Sequence, residues 1–265
     1  MNLPSSISNL RLKTRIILAC AFFVLTGVVG PALLLPHLVD LDRLKERLSA
    51  QVNARLDGTL QTDRLEWVWL PLPHLTLRNT HFTSEETVLV APRAEVYPDW
   101  RAFFSGRIRI GKVLLDSPEI LVKRFPASLA TPIDHELAGL NVMIRNGVLQ
   151  VAENNQFALL QNKNFTLKSL HGRVAVSLDA IDFDLSGEPA QGGSLAVAGN
   201  YLRQQAAYRI KFSCRNFNLQ EVFHPFAQGK LALGDTPINL TGNLEGRGIE
   251  KISGKIVGDS PCLLV

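Results

Sequence analysis

Cysteine is scarce in this chain, with three among 265 residues. Cys20 falls inside a long apolar run, so only Cys214 and Cys262 remain as a candidate pair, and two cysteines do not by themselves imply a bond. A disulfide framework is excluded, and the fold must hold together by apolar burial. Catalytic signatures are missing too. The six histidines, His37, His74, His81, His135, His171 and His224, are scattered, and there is no H-E-x-x-H, C-x-x-C, G-x-S-x-G or P-loop. The expectation is therefore no catalytic residues, no metal, no cofactor and no enzyme. Asp182 and Asp184 share one strand face, where solvation accounts for them better than paired acid–base chemistry. Clustered positive charge is the third absence. The formal net charge is +4, but three of the 28 lysines and arginines (Arg11, Lys13 and Arg15) precede the apolar run, leaving 25 against 24 acids. With no basic run interleaved with aromatics, nucleic acid is excluded as a partner.

Ile16–Leu35, IILACAFFVLTGVVGPALLL, contains no charged residue at all. A helix of that length spans about 30 Å, the thickness of a bilayer's hydrocarbon core. The three cations stand just before it and no acid occurs before Asp40, so the positive-inside rule keeps the N-terminus cytoplasmic and sends the rest across. No small-x-small cleavage site comes after it, which favours a retained anchor over a signal peptide. The reading is a cytoplasmic tail over 1–15 and a single-pass anchor over 16–36.

From Leu38 the period changes. Leu38, Leu41, Leu44, Leu48, Val52 and Leu56 recur at three- and four-residue steps among charged residues, which predicts an amphipathic helix ending at Asp57-Gly58. Its leucine face should cover the membrane-proximal end of the β-structure. After Gly58 the period is two. Short strands recur through the remainder, with Pro98–Gly106 as a helical turn, 125–138 as a linker and a short helix over Leu219–Phe226. Asn146-Gly147 predicts a hairpin, and Gly187, Gly192-Gly193, Gly199-Asn200 and Gly246 predict turns. With no helix between most strands, the sheet should be an antiparallel meander. The chain stops at Leu263-Leu264-Val265 straight after a strand pattern, which reads as incomplete at its C-terminal end.

Alternation gives that sheet one apolar face. Its candidate positions are Leu75 and Leu77, Ile108 and Ile110, Ile120 and Val122, Val142 and Ile144, and Leu149 and Val151. They continue with Phe165 and Leu167, Ile181, Phe183 and Leu185, Leu195 and Val197, then Tyr208, Ile210 and Phe212. Such a face must be covered. A closed sandwich core and an open groove for acyl chains need the same alternation, so periodicity leaves both open.

Residues 11–124 resemble the N-terminal region of the AsmA-like family of Gram-negative envelope proteins. The features are the anchor, then LVDLDRLKERLSAQVNARLDG, then LEWVWLPLPHLTLRN, then APRAEVYPDWRAFFSGRIRIGKVLLDSPEILVKR. That family is similar in style to chorein-type bridge-like lipid-transfer proteins, whose curled sheets hold lipid tails. The resemblance implies a mainly β fold with an N-terminal transmembrane helix and one amphipathic helix, and an antiparallel curled sheet, a β-taco or β-groove. It divides the exported part into an AsmA-like helix-plus-β segment over 37–124, the linker over 125–138, and a β-groove segment over 139–265. It places the chain in the inner membrane through 16–35 with its bulk in the periplasm. The apolar positions become lipid-groove candidates, phospholipid becomes the ligand, and lipid transport or outer-membrane assembly becomes the role. The alternative is an anchored β-domain that acts through envelope protein partners without binding lipid.

Overall fold

A computed structural model describes residues 46, 49–50, 53, 58–69, 72–99, 109–123, 138–151, 165–190, 192–217, 237–247 and 251–259. The period-two segments form twelve strands. They are β1 (Gly58–Val68), β2 (His74–Ser84), β3 (Thr87–Pro98), β4 (Ile110–Asp116), β5 (Glu119–Val122), β6 (Asn141–Val151), β7 (Phe165–Val176), β8 (Ala180–Pro189), β9 (Ser194–Leu202), β10 (Ala207–Phe217), β11 (Ile238–Arg247) and β12 (Lys251–Asp259). All belong to one mainly antiparallel sheet whose spatial order runs with the chain from β1 to β12. The exception corrects the expected pure meander. β4 and β5 are two pieces of one strand position, both antiparallel to β3, and both run parallel to β6. A parallel neighbour needs a crossover rather than a tight turn, and the span between β5 and β6 supplies the length for it.

A crease runs across the first seven strands, and the same bulge recurs in β10 at Arg215-Asn216, where Asn216 has φ of 53° and the register shifts. In each strand the alternation breaks once, leaving two consecutive residues facing outward between two that face in. The outward pairs are Asp63-Arg64, Arg78-Asn79, Pro92-Arg93, Asp116-Ser117, Arg145-Asn146 and Lys168-Ser169. Asn79, Ser117, Asn146 and Ser169 each adopt a left-handed backbone, with φ of 48°, 51°, 52° and 49°. Register irregularities mark the same places between Ile144 and Gly147 and between Lys168 and His171. These are β-bulges, which bend the strand and shift its side-chain parity by one residue. The parity shift keeps the same face apolar on both sides of the bend. Hydrogen bonds tie the crease together. Asn79 Nδ2 donates to Asp63 Oδ2 at 2.9 Å, the Ser117 N–H donates to the Arg145 carbonyl at 2.8 Å, and the Val148 N–H donates to the Pro118 carbonyl at 2.7 Å.

The crease folds the sheet on itself. One buried cluster draws Leu65, Leu75, Leu77, Ala94, Leu115 and Ile144 from one limb and Ala91 and Leu167 from the other, with Leu170 at the bend. Asn is the residue with a Cβ that best tolerates the left-handed region, so the crease has a test. Asn146→Gly should be near neutral, whereas Asn146→Val should cost about 1–2 kcal/mol, read as a lower urea midpoint. Equal midpoints would remove the strained bulge.

The expected Asn146-Gly147 hairpin is therefore wrong: β6 runs straight through it. The dipeptide's readiness for positive φ is used to bend a strand rather than to reverse it. Gly187, Gly199-Asn200 and Gly246 are likewise inside β8, β9 and β11 rather than at turns, whereas Gly192 and Gly193, with φ of 93° and 81°, do turn the chain. The expected helix over 38–56 lies largely outside the described residues. Glu46, Ser49, Ala50 and Asn53 within it are helical, and Asn53 Oδ1 accepts a hydrogen bond from the Leu60 N–H at 2.6 Å. The anchor over 16–36, most of 98–106 and of the linker, the helix over 219–226 and the chain end also lie outside them. No helix among the described residues is long and apolar enough to cross a membrane.

Candidate apolar trough

Register fixes which side chains share a face, and it strings the apolar positions into rows running across the whole sheet. One row passes Trp67, Leu75, Val96, Val113, Val142, Val174, Phe183, Gly199, Ile210, Leu244 and Gly254. The next passes Leu65, Leu77, Ala94, Leu115, Ile144, Gly172, Leu185, Val197, Phe212, Gly242 and Ile256. At the usual strand spacing each row is on the order of 50 Å long.

Burial divides this inner face in two. From β1 to β7 a closed core lies along the crease, where Leu77, Ala94, Leu115, Ile144, Leu167 and Leu170 are all buried, and Trp67, Val96, Val113 and Val142 pack half-buried against it. From β8 onward the strands alternate without a break over Ile181–Leu185, Leu195–Tyr201 and Tyr208–Cys214. There the apolar side chains are half-buried, apart from the buried Cys214 and, at the end of β10, Phe217, and by β12 Ile256 is 60% exposed. Leu185 and Leu195 pack against the edge of the closed cluster and mark the transition. Short of the bulge in β10, these strands therefore carry an apolar trough open to solvent, continuous with the core at one end.

Glycines set the depth of its floor. A Cβ on Gly199 would lie 2.8 Å from Phe183 Cζ, and one on Gly242 would lie 2.5 Å from the Phe212 ring. Each aromatic ring thus covers the glycine of the next strand. The side-chain layer is thinner there than a row of leucines would make it. The outer face is polar. Asp182, Asp184, Arg209, Lys211 and Arg215 are exposed, and Arg209 Nε pairs with Glu245 Oε1 at 2.7 Å. In the creased half, the Tyr97 hydroxyl donates to Glu95 Oε2 at 2.6 Å, and burial together with that carboxylate pushes its pKa up to about 12. Neutral Tyr97 thus favours the fold below its ordinary pKa near 10, and that contribution fades as pH rises through about 12. Burial also raises the pKa of the Cys214 thiol, which is free. Cys262 lies outside the described residues. Among the described residues no group of three or more His, Cys, Asp or Glu is placed to hold a metal ion.

The candidates from the sequence fall on this one face but in two environments. Leu75, Leu77, Val142, Ile144, Leu149, Val151, Phe165, Leu167, Ile120 and Val122 belong to the creased half, where most pack into or against the closed core. Ile110 is half-buried at the irregularity opposite Pro98, and Ile108 is outside the described residues. Ile181, Phe183, Leu185, Leu195, Val197, Tyr208, Ile210 and Phe212 line the open half. Sequence reasoning misses Tyr201, Leu240, Leu244 and Ile256. Taking Gly199-Asn200 for a turn hides Tyr201, and extending the alternation through that glycine finds it.

The model of the AsmA family matches residues 11–126, a little under half of the chain. No curated protein and no solved structure matches it.

Proposed function

We propose, from the premise that this chain is AsmA-like over residues 11–126, that it is an inner-membrane-anchored periplasmic protein which holds phospholipid acyl chains in the trough of β8–β12. The observation that carries this reading is the change in burial along one continuous apolar face. Its buried residues concentrate along the crease of β1–β7, and from β8 the face is half-buried, reaching 60% exposure at Ile256 of β12. Exposing apolar area costs roughly 25 cal/mol per Å², so a soluble domain keeps a long apolar furrow only if something apolar fills it in use. Acyl chains fit such a furrow because they need no hydrogen-bonding partners, and the inner face offers few. Lipid transport or outer-membrane assembly is the role consistent with the family. The closed half would then act as the rigid base that keeps the trough shaped. The runner-up is an assembly factor that binds a partner strand without lipid. It draws on β12, which pairs with β11 alone among the described strands and is exposed over 253–259.

Photo-crosslinking distinguishes the regions. A photoreactive residue at Phe183, Phe212 or Ile256 of the full chain should capture phospholipid. One at Leu77 or Ile144, in the closed half, or at Arg209, on the outer face, should not. Lipid identified by mass spectrometry in the purified protein should be stoichiometric. Absence of adducts at all three trough positions would leave the strand-partner reading standing.

A further inference from the structure

The trough has two long rims, formed by the two sets of strand ends, and they differ. One is built from the tips of the β7–β8 and β9–β10 hairpins, at 177–179 and 203–206. Two large apolar side chains stand exposed there, Leu178 at 47% and Leu202 at 37%. The tips are locked together. The Arg203 N–H donates to the Asp179 carbonyl at 2.9 Å, Arg203 Nη1 donates to the Leu178 carbonyl at 3.1 Å, and Gln204 Nε2 donates to Asp179 Oδ1 at 2.8 Å. Just inside the rim, Tyr201 and Tyr208 face each other across β9 and β10, two of the three tyrosines in the chain. At the other rim, Pro189–Ser194, Asn216 and Asp259 present no exposed large apolar side chain among the described residues, and Val257, 51% exposed, stands two residues short of it on β12.

Exposed leucines on a braced tip, backed by a tyrosine pair, form the arrangement that favours a membrane–water boundary. Leucine gains from hydrocarbon, and tyrosine keeps its ring in the apolar layer and its hydroxyl in the headgroup layer. Arg247, exposed at the end of β11, lies on the same side and supplies a positive charge for lipid phosphates.

From this asymmetry we infer that the β7–β8/β9–β10 rim docks on a phospholipid bilayer and is the side over which tails pass into the trough. The inference rests on the trough reading for its purpose, but docking itself is separable from it. The test uses the full chain in nanodiscs, presented with vesicles of phosphatidylethanolamine and phosphatidylglycerol carrying a fluorescent phospholipid. A photoreactive residue at position 178 or 202 should form lipid adducts, and one at 194 on the opposite rim should form far fewer. No adducts at 178 and 202, or equal yields at both rims, overturns the inference. The double variant Leu178→Asp/Leu202→Asp should slow uptake of the fluorescent lipid by on the order of tenfold while leaving the amount held at equilibrium and the melting temperature unchanged. An unchanged uptake rate also overturns it. Adducts at 178 and 202 with none at Phe212 would sink the trough reading and leave the docking rim intact.

Discussion

Leu170→Asp should abolish folding of the whole sheet. Leu170 sits at the bend of the crease, 1% exposed, in the cluster that joins the two limbs. An aspartate there places an unpaired charge among leucines, a penalty of several kcal/mol against a total stability of about 5–15 kcal/mol. The milder Leu170→Ala removes the same packing without the charge. It should cost about 2–5 kcal/mol, the upper part of that range if the limbs cannot close over the cavity. Circular dichroism and urea titration of both variants read the effect. A folded Leu170→Asp protein with a native-like urea midpoint would mean that the limbs are not packed on each other and that the first seven strands are as open as the last five.

Phe212→Asp should do the opposite: keep the fold and empty the trough. Phe212 occupies the same row as Ile144, so a uniform sandwich would treat the two sites alike. It is half-buried, its ring lies over Gly242, and its row neighbours Val197 and Gly242 are half-buried as well. A carboxylate there can stay hydrated, so the stability loss should be that of a trimmed aromatic contact, about 1 kcal/mol. Retained lipid should fall to near background, because an ionised group in mid-trough opposes every chain that crosses it. Comparing Phe212→Asp with Ile144→Asp makes the contrast internal. If both unfold, the inner face is one closed core; if Phe212→Asp folds and still holds lipid, the ligand lies elsewhere.

These outcomes depend on features of unequal visibility in the amino-acid order. The apolar face is visible because alternation is local. Ile181, Phe183 and Leu185 against Asp182 and Asp184 determine a face whatever their neighbours do. The division of that face into core and trough is not visible. Ile144 and Phe212 are both apolar residues in alternating strands. Only the folding of one region onto itself makes the first buried and leaves the second half-open. The crease is legible in fragments, as breaks in alternation at Arg78-Asn79, Arg145-Asn146 and Lys168-Ser169. Each break alone reads as a turn. Only register shows that they line up from strand to strand. Asn146-Gly147 is the sharpest instance. A positive φ is a local preference of those residues, but whether it reverses a strand or bends it depends on whether the next segment returns beside the first or continues past it.

Residue type and spacing over a few positions were enough to establish that the chain is mainly β, that its strands present one apolar face and that no cysteine framework holds it, and the resemblance of its first region to the AsmA family could be read there too. The parallel step from β4 and β5 to β6, the alignment of the bulges into one crease, and the change from a core packed along that crease to a more open trough came from the three-dimensional fold alone. These depend on which distant strands become neighbours, and contact between residues far apart in the chain leaves no periodicity to read.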